Sequence, residues 1–130
     1  DTIQMPLNIL DAHFRSFQHR VLPVAQEKKL GIIGMKPMAF QNALKVASAE
    51  ECLRYAMSLP VGVTLTGCET MERLEQALRV ARGFQPMTQA DKEALLARSR
   101  EFGVSSKGEP YKTTTNFDNT PPATPPPYEA

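Results

Sequence analysis

The chain has no excess of charge of either sign: 15 Lys and Arg stand against 14 Asp and Glu, leaving a net charge of +1. That balance offers no basic field to nucleic acid and no acidic field to a basic partner. Cysteine is scarce too. Cys52 and Cys68 lack the number and spacing of a disulfide framework or a metal site, so no metal is expected and a reducing cytoplasm is the expected setting. No apolar run approaches the roughly 18 residues that a membrane span needs. The amino end, DTIQMPLN, lacks the basic and apolar regions of a signal peptide. An initiating Met is also absent, and the sequence reads as a strand by Ile3, from which a lost amino-terminal part is expected.

What is present is a repeat of short apolar runs about thirty residues apart, the length of one βα unit. The first, Thr2 to Leu7, ends at Pro6 and Asn8 and carries one polar residue, Gln4. A buried amide needs partners, so Gln4 is expected either at a mouth facing a ligand or bonded to neighbouring backbone. The second, Ile32 to Met35 within LGIIGMKPMA, follows a turn at Gly31 and empties into Lys36 and Pro37. A lysine at the carboxyl end of a parallel strand suits a phosphate, and a carboxylate partner from a neighbouring strand is the alternative. The third, Gly62 to Thr66, ends at Gly67.

Helical signals fill the intervals. Phe14, Phe17, Val21, Leu22 and Ala25 recur at helical spacing over His13 to Lys29, where Pro23 either distorts the helix or opens a second segment. His13 and His19 have no ligand-spaced companions and read as solvated or helix-end residues. Phe40 to Val46 is a loop or weak helix. SAEE, Ser48 to Glu51, is a capping box, and Cys52 in the helix it starts reads as a small packed hydrophobe. Thr70 caps a helix over Met71 to Arg82 that stops at Gly83, its amino end lying just after a strand where an anion can sit. A last helix runs from about Thr88 to Gly103. Residues 104–130, with the proline group Pro125 to Pro127, read as an extended or disordered tail.

Strand and helix alternate three times, which predicts an α/β protein with a parallel sheet in residues 1–103. A barrel and an open sheet stay undivided on three units, and a complete (β/α)8 barrel needs about 250 residues.

DTIQMPLN, LGIIGMKPMA, ECLRYAMSLPVGVTLTGCETMERLEQAL and PMTQADKEALL, taken in order, closely resemble the carboxyl-terminal part of bacterial aldo/keto reductases. The tail EPYKTTTNFDNT looks like the end of some members. The resemblance implies a partial TIM barrel, strands six to eight plus a terminal helix. It implies a nicotinamide cofactor, NADP(H) preferred over NAD(H), and in the complete protein a small carbonyl substrate and a missing amino-terminal barrel half. Gln4 aligns with a glutamine that bonds the nicotinamide carboxamide, and Met35 with a position that is aromatic in many members. Lys36 and Pro37 open the loop along the pyrophosphate. Gly67, with Cys68 beside it, matches the approach to the adenosine phosphate. Glu69 replaces a common basic reader of the 2′-phosphate and Gln76–Ala77 a usual Glu-Asn pair, leaving Arg73 as the nearest cation. The family's catalytic Asp, Tyr, Lys and His belong to the earlier half, so no catalytic residue is expected here and His13, Lys36 and Tyr55 are no substitutes. Against this oxidoreductase reading stand a non-catalytic half-barrel that binds a nucleotide or pairs with another chain, and a barrel enzyme that takes a sugar phosphate.

Overall fold

The computed structural model describes residues 1–114. Three strands form one parallel sheet in the order β1-β2-β3: β1 Thr2–Pro6, β2 Gly31–Met35 and β3 Val63–Thr64. β1 and β2 pair from Thr2↔Gly31 to Pro6↔Met35, and β2 meets β3 at Ile33↔Val63 and Gly34↔Thr64. Side chains alternate between faces along a strand, and this register sorts them into two sets. Met5 and Ile32 turn toward the covering helices and pack with Leu7, Leu22 and Ala25, with Ile3, Phe17 and Val21 around them. Gln4, Ile33, Met35 and Val63 fall on the other face, which no helix covers: Val63 is 50% exposed and Leu65 beyond it 44%.

The helices start where local chemistry satisfies their first N–H groups. α1, Phe17–Arg20, begins at Ser16, whose hydroxyl accepts from the His19 amide. α2, Leu22–Glu27, has Pro23 in its first turn, so the proline opens a second segment, as its fixed φ and missing donor favour. α3, Ala49–Met57, carries the full capping box of Ser48 and Glu51. α4, Met71–Arg82, is capped by Thr70 and stops at Gly83. α5, Gln89–Gly103, is capped by Thr88, whose hydroxyl accepts from the Asp91 amide. Phe40 to Val46 holds a short 3-10 helix over Asn42–Lys45.

A second core of Ile9, Leu10, Ala39, Ala43, Cys52, Tyr55 and Leu95 lies under the loops that leave the carboxyl ends of β1 and β2. Cys52 is fully buried there, and burial, with Glu51 nearby, pushes its thiol up to about 12. Both cysteines are free, with Cys68 exposed.

Two expectations are corrected. The left-handed residue between α2 and β2 is Lys29, at φ 54°, while Gly31 is already strand. Its small size matters because a Cβ there would stand 2.9 Å from the Thr2 methyl. His13, expected in a solvated or helix-end role, closes a 3-10 helix over Asp11–His13 and shares a 3.0 Å hydrogen bond with the buried Ser99 of α5. The segment after Gly103 does not leave the fold at once, since Pro110–Lys112 forms a 3-10 turn and Gly108 and Glu109 are buried. The remainder of the expected tail, with Pro125 to Pro127, lies outside the described residues. No described helix is long and apolar enough to cross a membrane.

Candidate functional site

In an open parallel sheet, ligands bind beyond the carboxyl ends of the strands, where the loops meet. Here the loops after β2 and β3, with α3 and α4, enclose a cleft of about 390 Å³. That lies within the about 300 to 1,000 Å³ of small-molecule sites. Lys36, Pro37, Phe40 and Leu44 form one wall, Thr66, Gly67 and Glu69 the second, and Arg73, Gln76 and Ala77 the side contributed by α4.

The first wall has an unusual backbone. Lys36, Ala39, Phe40 and Gln41 all have φ between 47° and 70°, the left-handed region that a side chain makes costly. Such residues persist only where their surroundings over-determine them, and they concentrate at ligand sites. The Lys36 carbonyl accepts from the Ala39 amide at 2.9 Å and from the Asn8 side chain at 3.1 Å, which closes the turn. The Lys36 ammonium pairs with no carboxylate among the described residues. It lies 4.3 Å from the Phe40 ring centre and 5.2 Å from that of Tyr111. Cation–π attraction of that kind holds a lysine by roughly 0.5 to 1 kcal/mol at an exposed site, less than a buried ion pair would.

On the other wall Arg73 donates to Glu69 at 2.8 Å, one turn apart on an exposed face. The Arg73 hydrogen bond holds the Glu69 carboxyl below its usual range. A Cβ at Gly67 would meet Glu69 Oε1 at 2.7 Å, so the glycine leaves room for that carboxylate. The pair is exposed, and pairs of this type are weak and easily exchanged.

Behind the first wall lies a buried polar cluster. Lys112 Nζ donates to Asp11 Oδ1 at 2.7 Å, to Glu109 Oε2 at 2.6 Å and to the Phe14 carbonyl at 2.8 Å. Glu109 Oε1 accepts from Asn8 at 2.8 Å and from the Tyr111 hydroxyl at 2.6 Å. Burial, then the bond to Glu109, pushes the Tyr111 hydroxyl far above its ordinary range. Asp11 also accepts from the amides of Phe17 and Gln18. No buried side-chain polar atom is unpaired among the described residues.

Five of the eight residues singled out from the sequence, Lys36, Pro37, Gly67, Glu69 and Arg73, thus line one cleft. Gln4 and Met35 lie apart from it on the uncovered sheet face, where the Gln4 amide points at the Met35 sulfur at 2.8 Å. Cys68 opens onto a separate apolar groove of about 460 Å³ with Leu65, Leu74 and Leu78. Tyr55 is buried and donates to Gln18 at 2.8 Å, and burial raises its hydroxyl to about 12, so it faces no ligand. No cluster of His, Cys, Asp or Glu suited to a metal occurs among the described residues.

No family model, curated protein or solved structure matches the chain. Chemistry must therefore be read from the cleft itself. Two cations, Lys36 and Arg73, line it, and among the described residues only Arg73 is engaged by a carboxylate. The donor set thus fits the phosphates of a nicotinamide nucleotide. Phe40, Leu44 and Tyr111 escaped sequence reading. Phe40 and Leu44 lie in a weak helical signal, and Tyr111 lies in a segment whose composition reads as tail.

Proposed function

We propose that this chain is the cofactor-binding carboxyl-terminal part of an NAD(P)H-dependent aldo/keto reductase, comprising the last three βα units of a TIM barrel and a terminal helix. The observation that carries the reading is the meeting of Lys36, Pro37, Gly67, Glu69 and Arg73 in one cleft beyond the carboxyl ends of β2 and β3. Lys36 would bind a phosphate, Arg73 a second anionic group, and Gln4 a carboxamide beside Met35. The nicotinamide, when bound, supplies a hydride to an aldehyde or ketone carbon. The resemblance assigns the acid that protonates the carbonyl oxygen to the earlier barrel half, in keeping with Tyr55 being buried and His13 bonded to Ser99.

Titration calorimetry of the purified chain with NADPH and with NADH tests the reading. Binding of either nucleotide, weakened by Lys36→Met, is expected; sugar phosphates are expected not to compete. Failure of both nucleotides to bind would overturn it, and binding of a sugar phosphate alone would point to a different barrel chemistry. Carbonyl reduction by the isolated chain is expected to be nil.

A second reading, a half-barrel that pairs with another chain, is favoured by one observation. Val63 and, just past the strand, Leu65 expose apolar surface at an edge unpaired among the described residues, and such edges invite pairing. Sedimentation decides between a discrete oligomer, which this reading expects, and a monomer or polydisperse aggregate, which it does not.

A further inference from the structure

The left-handed turns from Lys36 to Gln41 need support from outside the loop, because each unfavourable φ is held only by what packs and bonds around it. Beside packing of Ala39 and Ala43 in the second core, part of that support comes from Gly108–Lys112. Glu109 Oε1 holds the Asn8 amide, whose nitrogen also donates to the Lys36 carbonyl. The Gly108 carbonyl accepts from Asn42 at 3.0 Å, just past the end of the strained loop. The Tyr111 ring lies 5.9 Å from that of Phe40, and the two flank the Lys36 ammonium. The segment itself is fastened at its far end, where Lys112 is 2% exposed between Asp11 and Glu109.

We infer that Gly108–Lys112 is a positioning strap: its buried anchor at Lys112 sets the Lys36 loop and so aims the Lys36 ammonium into the cleft. Three separate links, through Asn8, Asn42 and Tyr111, join the strap to the loop, and none of them touches the cleft's other wall. The effect on ligand binding rests on the reading of the cleft as a nucleotide site, whereas the effect on Lys36 does not.

The test uses the full chain with its lysines reductively methylated by 13C-formaldehyde, the Lys36 signal being assigned by its loss in Lys36→Arg. In the native protein that signal is expected to be shifted by the Phe40 and Tyr111 rings. Asn42→Ala touches neither ring nor the ammonium, whereas Glu109→Gln also alters the bond to the Tyr111 hydroxyl; well below their unfolding temperature each should move the signal toward that of a solvated lysine. An unmoved Lys36 signal in folded Asn42→Ala overturns the inference, and because that change removes one partly buried hydrogen bond, folding is retained. In parallel, NADPH titration should show affinity reduced roughly 3- to 30-fold in the variants. Should the parent chain bind no NADPH while the lysine signal moves, the nucleotide reading fails and the strap stands. Equal NADPH affinity in parent and variants, with the signal unmoved, overturns the strap and leaves the nucleotide reading intact.

Discussion

The Lys112 ammonium lies 2.7 Å from the Asp11 carboxylate although 101 residues separate the two in sequence. Both side chains are almost wholly out of solvent, and Glu109 completes the group from the same turn as Lys112. A buried charge is tolerated only with partners, so this contact joins the last described turn to the loop that leaves the first strand.

Removal of the cation should therefore be severe. Lys112→Met keeps the length of the side chain and strands two buried carboxylates, for which a loss of about 3 to 5 kcal/mol is expected. Urea unfolding followed by circular dichroism measures it, and a loss under about 1 kcal/mol, the scale of an exposed pair, would show that the cluster is solvated.

The α3 capping box predicts a smaller effect. Ser48 accepts from the Glu51 amide at 3.1 Å while Glu51 reaches back to the Ser48 amide at 2.8 Å. Ser48→Ala should cost about 1 kcal/mol in the same unfolding measurement. Ser48→Asp, which can still accept, should recover most of it.

Packing at the end of α5 makes a steric prediction. Gly103, where the sequence ends the last helix, is the final helical residue and is buried. A Cβ there would come within 2.8 Å of His13 Cγ and 2.9 Å of His13 Cβ. Gly103→Ala should thus destabilise by about 1 to 3 kcal/mol despite alanine's better helix propensity. A stabilised variant in thermal unfolding would contradict this packing.

Acid should reach the same place. Burial, then the charge of Arg100, lowers the His13 pKa from its ordinary 6.5. The unfolded chain therefore takes up the proton first as pH falls, so His13 contributes no penalty above 6.5 and stability declines as pH drops from there through the folded-state value. Glu51, held low by the hydrogen bond from Arg98, loses its contribution only as pH falls below its ordinary 4.5, a separate window. Urea midpoints between about pH 7 and pH 5 should fall in the parent chain and fall less in His13→Gln. Identical slopes would rule His13 out as the titrating group.

The two thiols should differ in rate. Cys68 is exposed, whereas Cys52 is buried with its thiol pushed up to about 12. Only the thiolate reacts, so one thiol should be labelled promptly by a disulfide reagent in native protein and the second only on unfolding. Two prompt equivalents would show that the second core opens readily.

Much of this fold is local and was therefore legible in sequence. The Ser48, Thr70 and Thr88 caps act within three residues, and the strands preceding Asn8, Lys36 and Gly67 declare themselves by apolar runs closed by turn residues. Position at a strand exit marked Lys36, and the resemblance to aldo/keto reductases marked Pro37, Gly67, Glu69 and Arg73; the structure places all five around one cleft. Other features had no local signal. Lys29 takes the left-handed position that Gly31 was expected to hold, because Gly31 is needed against Thr2. Gln4 and Met35 share a face with Val63 through sheet register, which no single segment encodes.

The sequence by itself determined the order of the three strands and the helix starts at Ser48, Thr70 and Thr88, since those signals depend on neighbours a few residues apart, whereas the third strand, expected over Gly62 to Thr66, is limited to Val63–Thr64 by its pairing with β2. Only the tertiary structure decided that Glu109, Tyr111 and Lys112 belong to the fold and stand behind the Lys36 loop. In sequence they read as tail, because a lysine and two carboxylates reveal nothing of their pairing until folding removes water and brings residues 11 and 112 together.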